Sequence, residues 1–420
     1  MIGAAIGRVA RTQGELLAVT LPGARVGDGV RIHGEREPAL TGHVVAVEGA
    51  GAVVAPYGAV QGIAVGDRVE RDARALAVPL GCAVLGRALD AFGRSLDGGP
   101  APASPPRTAL RGAPAPHERL PGGSPLWTGI AAIDGLLAFA RGSRIGVFGP
   151  PGAGKTTLLE GIVGSARADA VVLALVGERG REAQAWCARR NPRTTIVCAT
   201  SDRSPAERAR AAEVALAQAA YLAARGAHVV LMLDSLARYA AALREQRIAN
   251  GEPAGKGGYP PGVFAEVARY LETAGELRTG SITLVASVLS EAGDEHDPLS
   301  EAARSLLDGH LVLSPALARA GRFPALDVLA SGSRTFGLVA APEQRADASA
   351  VRSALALLAE THDLRALGLA DTSEARLRAA LEAEPALSAF VHDAEPSAPQ
   401  RSLGRLAAVA HPLRGAGFGT

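Results

Sequence analysis

Two rhythms divide the chain. Over residues 1 to about 71, apolar positions come in short stretches broken by glycine-rich turns, as at Glu15–Leu21, Gly29–His33, Gly42–Val47 and Gly51–Ala55. Short strands at this spacing predict a small β-barrel. From Thr128 the apolar runs become continuous and alternate with longer segments of helical spacing. Strands are expected at Arg144–Phe148, Ala170–Val176, Thr194–Ala199, Val229–Asp234, Ser281–Val288 and Leu311–Ser314. Helices are expected at Lys155–Ser165, Arg181–Arg190, Pro205–Arg225, Leu236–Arg247, Val263–Glu276 and Leu299–Leu307. Buried strands separated by helices imply an α/β fold with a mostly parallel sheet covered on both faces. From about Arg345 only helical spacing remains, clearest at Ala348–Glu360 and Ser373–Glu384. The Pro- and Gly-rich stretch Gly98–Pro125 suits neither helix nor central strand and predicts an extended connector. Three domains are therefore expected: residues 1–71, 72–344 and 345–420. The tail Ser397–Thr420 shows no assignable pattern and is expected to be mobile.

Composition narrows the chemistry. A net charge of +2 predicts neither a nucleic-acid binder nor a binder of acidic substrates. No apolar run is long enough to cross a bilayer, and the first residues lack a signal-peptide pattern. The three cysteines, Cys82, Cys187 and Cys198, lie far apart and read as buried, reduced thiols. The 44 basic residues include only Lys155 and Lys256 as lysines. Arginine is a planar fork and lysine a point charge on a slim stem, so a lysine kept in such a chain has a task. Both stand in glycine-rich loops.

Gly149–Thr156 reads GPPGAGKT, after an apolar strand and before a helix. This is the phosphate-binding loop pattern: glycines let backbone N–H groups turn inward, and the helix start favours an anion. Lys155 would reach the outer phosphates and the Thr156 hydroxyl would ligate Mg²⁺. Asp234 ends the apolar strand HVVLMLD, the position from which an acid orders Mg²⁺ in such enzymes. It could also cap the helix that follows, and the two roles can coexist, but the continuous burial pattern of the strand and the helical SLARYAAALRE after it favour the metal role. Glu178 in GERGRE follows another strand and is the candidate to polarise an attacking water, with Arg179 beside it as a charge clamp. The competing reading of this charge cluster is an exposed, ion-paired turn.

Taken together, several segments resemble the hexameric rotary-type ATPase superfamily: the F- and V-type catalytic subunits, the flagellar export ATPase and the type III secretion ATPases. They are LGRALDAFGRSLDG (Leu85–Gly98), TGIAAIDGLL (Thr128–Leu137), GPPGAGKTTLL, VGERGRE, LMLDSLARYAAALRE, GEPAGKGGYPPGVF (Gly251–Phe264), DPLSEAARSLLDGHLVLS (Asp297–Ser314) and FPALDVLASGSR (Phe323–Arg334). The resemblance spans about residues 1–395 in one order. ARSLLDGH, LDSLARYAAALRE and Leu369–His392 look most like the flagellar and type III branch.

The resemblance implies a RecA-like P-loop core between an N-terminal β-barrel and a C-terminal helical domain. It implies ATP and Mg²⁺, with Gly149, Gly152, Ala153, Gly154, Lys155, Thr156 and Thr157 forming the cradle and Thr156 and Asp234 serving the metal. Glu178 would be the catalytic glutamate with Arg179 next to it, Phe323 the aromatic on adenine, and Arg334 an arginine finger entering a neighbouring subunit. Implied partners are identical copies in a homohexamer, central-stalk and stator-like proteins, and secretion chaperones with their substrates, and no nucleic acid. The implied location is cytoplasmic, at most peripheral to the inner-membrane export gate. Lys256 would face a central channel, although a plain surface loop fits the sequence equally. Departures from the pattern are Ala153, where valine is usual, the Gly332–Ser333 pair, and a short segment before the first barrel strand. The alternatives are a subunit of a rotary ATP synthase or proton pump, an RNA-translocating hexamer, and a non-catalytic nucleotide-binding subunit. Tyr57 is the lone aromatic of residues 1–71, which argues against RNA stacking, and Glu178 argues against a non-catalytic role.

Overall fold

In the N-terminal strands, alternate side chains point to opposite faces, so Val30 and Ile32 are fully buried while Arg31 between them is exposed. A computed structural model describes residues 6–35, 38–104, 113–289, 297–369 and 374–419. Strands Ile6–Gln13, Leu16–Thr20, Gly29–His33, Leu40–Glu48, Gly51–Pro56 and Arg68–Arg71 close into an antiparallel barrel, the first strand pairing with both the second and the last. Its interior is filled by Val9, Leu17, Val19, Val30, Ile32, Val44, Val54 and Val69. Gly7 is required where the first two strands meet, because a Cβ there would lie 1.7 Å from the carbonyl oxygen of Thr20.

The chain forms two units, one comprising Met1–Pro114 and Ala170–Thr273, the other Ala115–Asp169 and Ala274–Thr420. Beyond the barrel, the first unit holds parallel strands in the order His228–Asp234, Ala170–Glu178, Thr194–Thr200 and Ala88–Leu89. Every residue of Ala170–Glu178 is buried, as a strand with neighbours on both sides and helices above and below must be. Helices Gly180–Ala188, Pro205–Ala223, Leu236–Ala249 and Pro261–Leu271 complete it. Ser204 caps Pro205–Ala223, its hydroxyl accepting from the Glu207 amide, with proline in the first turn.

In the second unit, Arg144–Gly149 lies between the parallel strands Ser281–Leu289 and Gly309–Leu313, and Leu326–Ser333 runs antiparallel to the latter. Helices Lys155–Ser165 and Pro298–Leu306 follow the pattern of the sequence, and Pro342–Glu360, Ala375–Val391 and Pro399–Gly415 form a helical region. The α/β class, the barrel, the P-loop core and the C-terminal helices are thus all present.

Three expectations change. The tail is ordered: Pro399–Gly415 is a helix that buries Pro399, Ser402, Leu406, Ala410 and Leu413. Its inward stripe has helical spacing, but proline and serine occupy two of those positions and weaken the apolar signal. The helix expected to reach Glu276 stops at Leu271, because Gly275–Glu276 pairs as a short strand with Ser281–Leu289. Only Cys198 is a buried thiol, whereas Cys187 is half-buried and Cys82 exposed. In the connector, the described residues form no α-helix and only one short 3₁₀ turn, Pro116–Glu118, and 105–112 lie outside them. No described helix is long and apolar enough to cross a membrane.

Candidate nucleotide site

The phosphate loop belongs to the second unit. The buried strand Arg144–Gly149 delivers the chain into the turn, and helix Lys155–Ser165 leaves it. Gly152 and Gly154 stand at φ 79° and 88°, the left-handed region that favours glycine. Ala153, between the two glycines, is fully buried. Gly149 closes against Leu313, a Cβ there lying 3.1 Å from that residue's own. The Lys155 ammonium donates to the carbonyl oxygens of Gly149 at 2.6 Å and Pro150 at 2.8 Å, holding the loop curled around its own cation. Thr156 and Thr157 are exposed in the first helical turn. Amide donors at a helix start beside an ammonium make a site for a polyanion.

Phe323 and Arg334 stand in the same unit. The Phe323 ring lies against the loop, since a Cβ on Gly154 would be 3.2 Å from its Cε1, and the residue remains 36% exposed. Arg334 follows the edge strand Leu326–Ser333. Its amide donates to the Asp308 carbonyl at 2.8 Å, and the Asp308 carboxylate in turn accepts from the Arg144 amide and guanidinium. The backbone of Arg334 is therefore anchored while the residue itself is exposed.

The acids belong to the first unit. Glu178 ends its strand and is buried at 7% exposure. The Arg238 guanidinium is in direct ion-pair contact with it. Burial is the main cause that lifts the Glu178 carboxyl to about 7; a hydrogen bond with Glu182 adds to it, Arg238 opposes it, and the Asp234 charge raises it further. Glu182 moves the opposite way, lowered chiefly by that same hydrogen bond. A carboxyl balanced near neutrality can both take and release a proton. Asp234 ends a fully buried strand at 8% exposure. The cap of the following helix is Ser235, whose hydroxyl accepts from the Arg238 amide, and not Asp234. Arg179 is 81% exposed and pairs with Glu182 at 3.7 Å. The charge cluster thus divides, its glutamate turned inward and its arginine outward.

Sequence reasoning did not single out Arg238 or Glu182. The available signal was an arginine one helical turn after Asp234 and a second acid one turn after Glu178. Thr156 carries a hydroxyl in the second unit and Asp234 a carboxylate in the first, each a hard oxygen donor of the kind that Mg²⁺ takes. Among the described residues no cluster of three or more His, Cys, Asp or Glu side chains could hold a metal.

A family profile described as the nucleotide-binding domain of the ATP synthase alpha/beta family matches residues 129–333. The chain is 42% identical over 375 residues to the SPI-2 type 3 secretion system ATPase of Salmonella typhimurium, covering 86% of this chain and 84% of that one. It is 40% identical over 394 residues to the flagellum-specific ATP synthase of Treponema pallidum, covering 92% and 88%. The assembled ATPase EscN of the enteropathogenic E. coli type III secretion system superposes with a TM-score of 0.89 at 33% identity, over 96% of this chain and all of that one. The same similarity holds for EscN in complex with its central stalk EscO. The chain belongs to the family of type III secretion and flagellum-specific ATPases, and it is a P-loop ATPase.

Proposed function

We propose that this chain is the ATP-hydrolysing motor of a type III protein secretion or flagellar export apparatus. The observation that carries the catalytic part is the Glu178 carboxyl, buried, paired with Arg238 and poised at about 7. A non-catalytic nucleotide subunit has no use for such a group. The kinship over most of the chain supplies the type of system.

In this reading, the amides of Gly152, Ala153, Gly154, Lys155 and Thr156 and the Lys155 ammonium bind the phosphates of ATP. Lys155 exchanges its contacts with the loop carbonyls for phosphate oxygens. Mg²⁺ supplies neutralisation of the phosphate charge, and Thr156 and Asp234 would hold it. Glu178 in its ionised form accepts a proton from the attacking water, and Arg238 sets how much of it is ionised. Arg179 and Arg334, both exposed, are the charge clamps, Arg334 acting on the nucleotide of a neighbouring copy. Phe323 stacks on the base.

EscN is described as assembled and in complex with a central stalk. By analogy, the working form here is a homohexamer around a stalk protein, with Lys256 in the loop that meets it. Coupling to chaperone release and substrate unfolding, stator-like partners and peripheral docking at an inner-membrane export gate belong to the same analogy.

The test is the rate of Mg-ATP hydrolysis per chain across a wide protein concentration series, with sizing in parallel. A rate that climbs and saturates as hexamers form supports a site completed in trans. A full rate from a monomer would refute it. No turnover at any concentration, with tight ATP binding retained, would favour the non-catalytic alternative.

A further inference from the structure

The base side of the proposed site is held from the C-terminal helices. Helix Ala375–Val391 ends at His392, whose Nδ1 lies 3.0 Å from the carbonyl oxygen of Pro324. A carbonyl can only accept, so Nδ1 carries the hydrogen and donates. Burial lowers the imidazole's pKa, the Pro324 bond opposes this, and the Arg322 charge lowers it again. The ring is therefore neutral at physiological pH. Nδ1 bears its hydrogen in that neutral tautomer and in the cation alike, so the bond is indifferent to pH.

Pro324 directly follows Phe323. Downstream, the Ala325 carbonyl accepts from the Ser314 amide at 2.8 Å, which fixes the start of strand Leu326–Ser333. Upstream, the Arg322 amide donates to the Leu317 carbonyl at 3.0 Å. Between these anchors the Phe323 ring is bounded on one side by Gly154 of the phosphate loop, and the carbonyl of the next residue, Pro324, is held by His392. An aromatic that remains 36% exposed loses affinity for a stacked base if its backbone can drift.

We infer that His392 is a positioning residue for the nucleotide base: its Nδ1–H···O=C bond to Pro324 sets Phe323 beside the phosphate loop and ties base affinity to the C-terminal helices. The inference rests on the reading of Phe323 as the base-stacking residue. It concerns ground-state binding of the base, so it predicts an effect on KM and not on the chemical step.

The experiment uses the full chain and compares wild type, His392→Ala, His392→Asn and Phe323→Ala. For each, kcat and KM are measured with ATP, along with the inhibition constant of inorganic tripolyphosphate, which has no base. His392→Ala should raise the KM for ATP by roughly three- to tenfold, the size of one net hydrogen bond, with kcat within about twofold. Tripolyphosphate inhibition should stay unchanged. His392→Asn, whose amide nitrogen can donate from nearly the Nδ1 position, should recover most of the loss. An unchanged KM in His392→Ala alongside a raised KM in Phe323→Ala overturns the role of His392. So does an equal weakening of tripolyphosphate, which would mean general disruption, or a failure of asparagine to rescue. An unchanged KM in Phe323→Ala removes the reading of Phe323 itself and the inference with it.

Discussion

The contact between Arg238 and Glu178 sets the protonation of the proposed catalytic carboxyl, and removing it has a calculable effect. In wild type, the Glu178 carboxyl sits at about 7 because burial, Glu182 and Asp234 raise it while Arg238 holds it down. Arg238→Ala deletes the one lowering influence and keeps the three raising ones. An adjacent opposite charge is worth roughly one to three pKa units, so the carboxyl should move up by at least about one unit. The active form is the carboxylate, present above the pKa and lost as pH falls through it. At pH 7 about half of the wild-type carboxyl is ionised. A rise of one to two units leaves roughly a tenth to a hundredth, so turnover at that pH falls roughly five- to fifty-fold. The assay is kcat against pH from 6 to 9.5 under saturating Mg-ATP. The acid limb of the profile should shift to higher pH in the variant, with activity partly recovered in alkali. An acid limb that stays in place, or moves down, would falsify the argument that Arg238 tunes Glu178.

Glu178→Gln should retain ATP binding by calorimetry and lose turnover, and wild-type turnover would remove Glu178 from the mechanism. Arg334→Ala should leave hexamer formation intact on sizing yet cut kcat by about 10³, the scale of an arginine finger. Asp97 is 1% exposed in its side chain and accepts from the Arg87 guanidinium, the Ser95 hydroxyl and the Ala88 and Gly99 amides. These partners, Arg87 foremost, hold its carboxyl well below the usual 3.8. Asp97→Ala should therefore cost about 3–5 kcal/mol in urea unfolding near neutral pH. The deficit should shrink as pH falls below about 4, where the unfolded carboxyl takes up a proton and the wild-type advantage is lost. Phe418 is 1% exposed with the Arg376 guanidinium 4.6 Å from its ring centroid. Phe418→Ala should destabilise the C-terminal helical region by about 3–5 kcal/mol, read as a lower melting temperature, and an unchanged one would mean that the tail is not part of that core.

Much of the molecule is written in contiguous residues. Alternation in Gly29–His33 fixes which side chains enter the barrel, because a strand's period is two. The unbroken apolar run of Ala170–Val176 specifies a central parallel strand. GPPGAGKT carries its own geometry, since positive φ at Gly152 and Gly154 and a helix opening at Lys155 are properties of neighbours along the chain. The places of Lys155, Thr156, Asp234 and Glu178 in the fold were legible for the same reason: each stands at the end of a strand or the start of a helix that the pattern predicts.

What the sequence left open depends on side chains brought together from different elements. Whether Glu178 was an exposed turn residue or a buried acid was undecided until the fold placed Arg238 against it and turned Arg179 to solvent. Asp234 could have been a helix cap until Ser235 was seen to take that role. The tail looked featureless because its buried stripe runs through Pro399 and Ser402, which become core residues through the helices they pack on and not through their own hydrophobicity. The bond from His392 to Pro324 likewise joins residues far apart in the chain. Sequence alone determined most of the elements up to the tail and the residue types of the proposed site, since these follow from local periodicity and backbone sterics. Tertiary structure alone decided burial, pairing and hence pKa, because the dielectric and charge around a group are set by whichever distant segments fold against it.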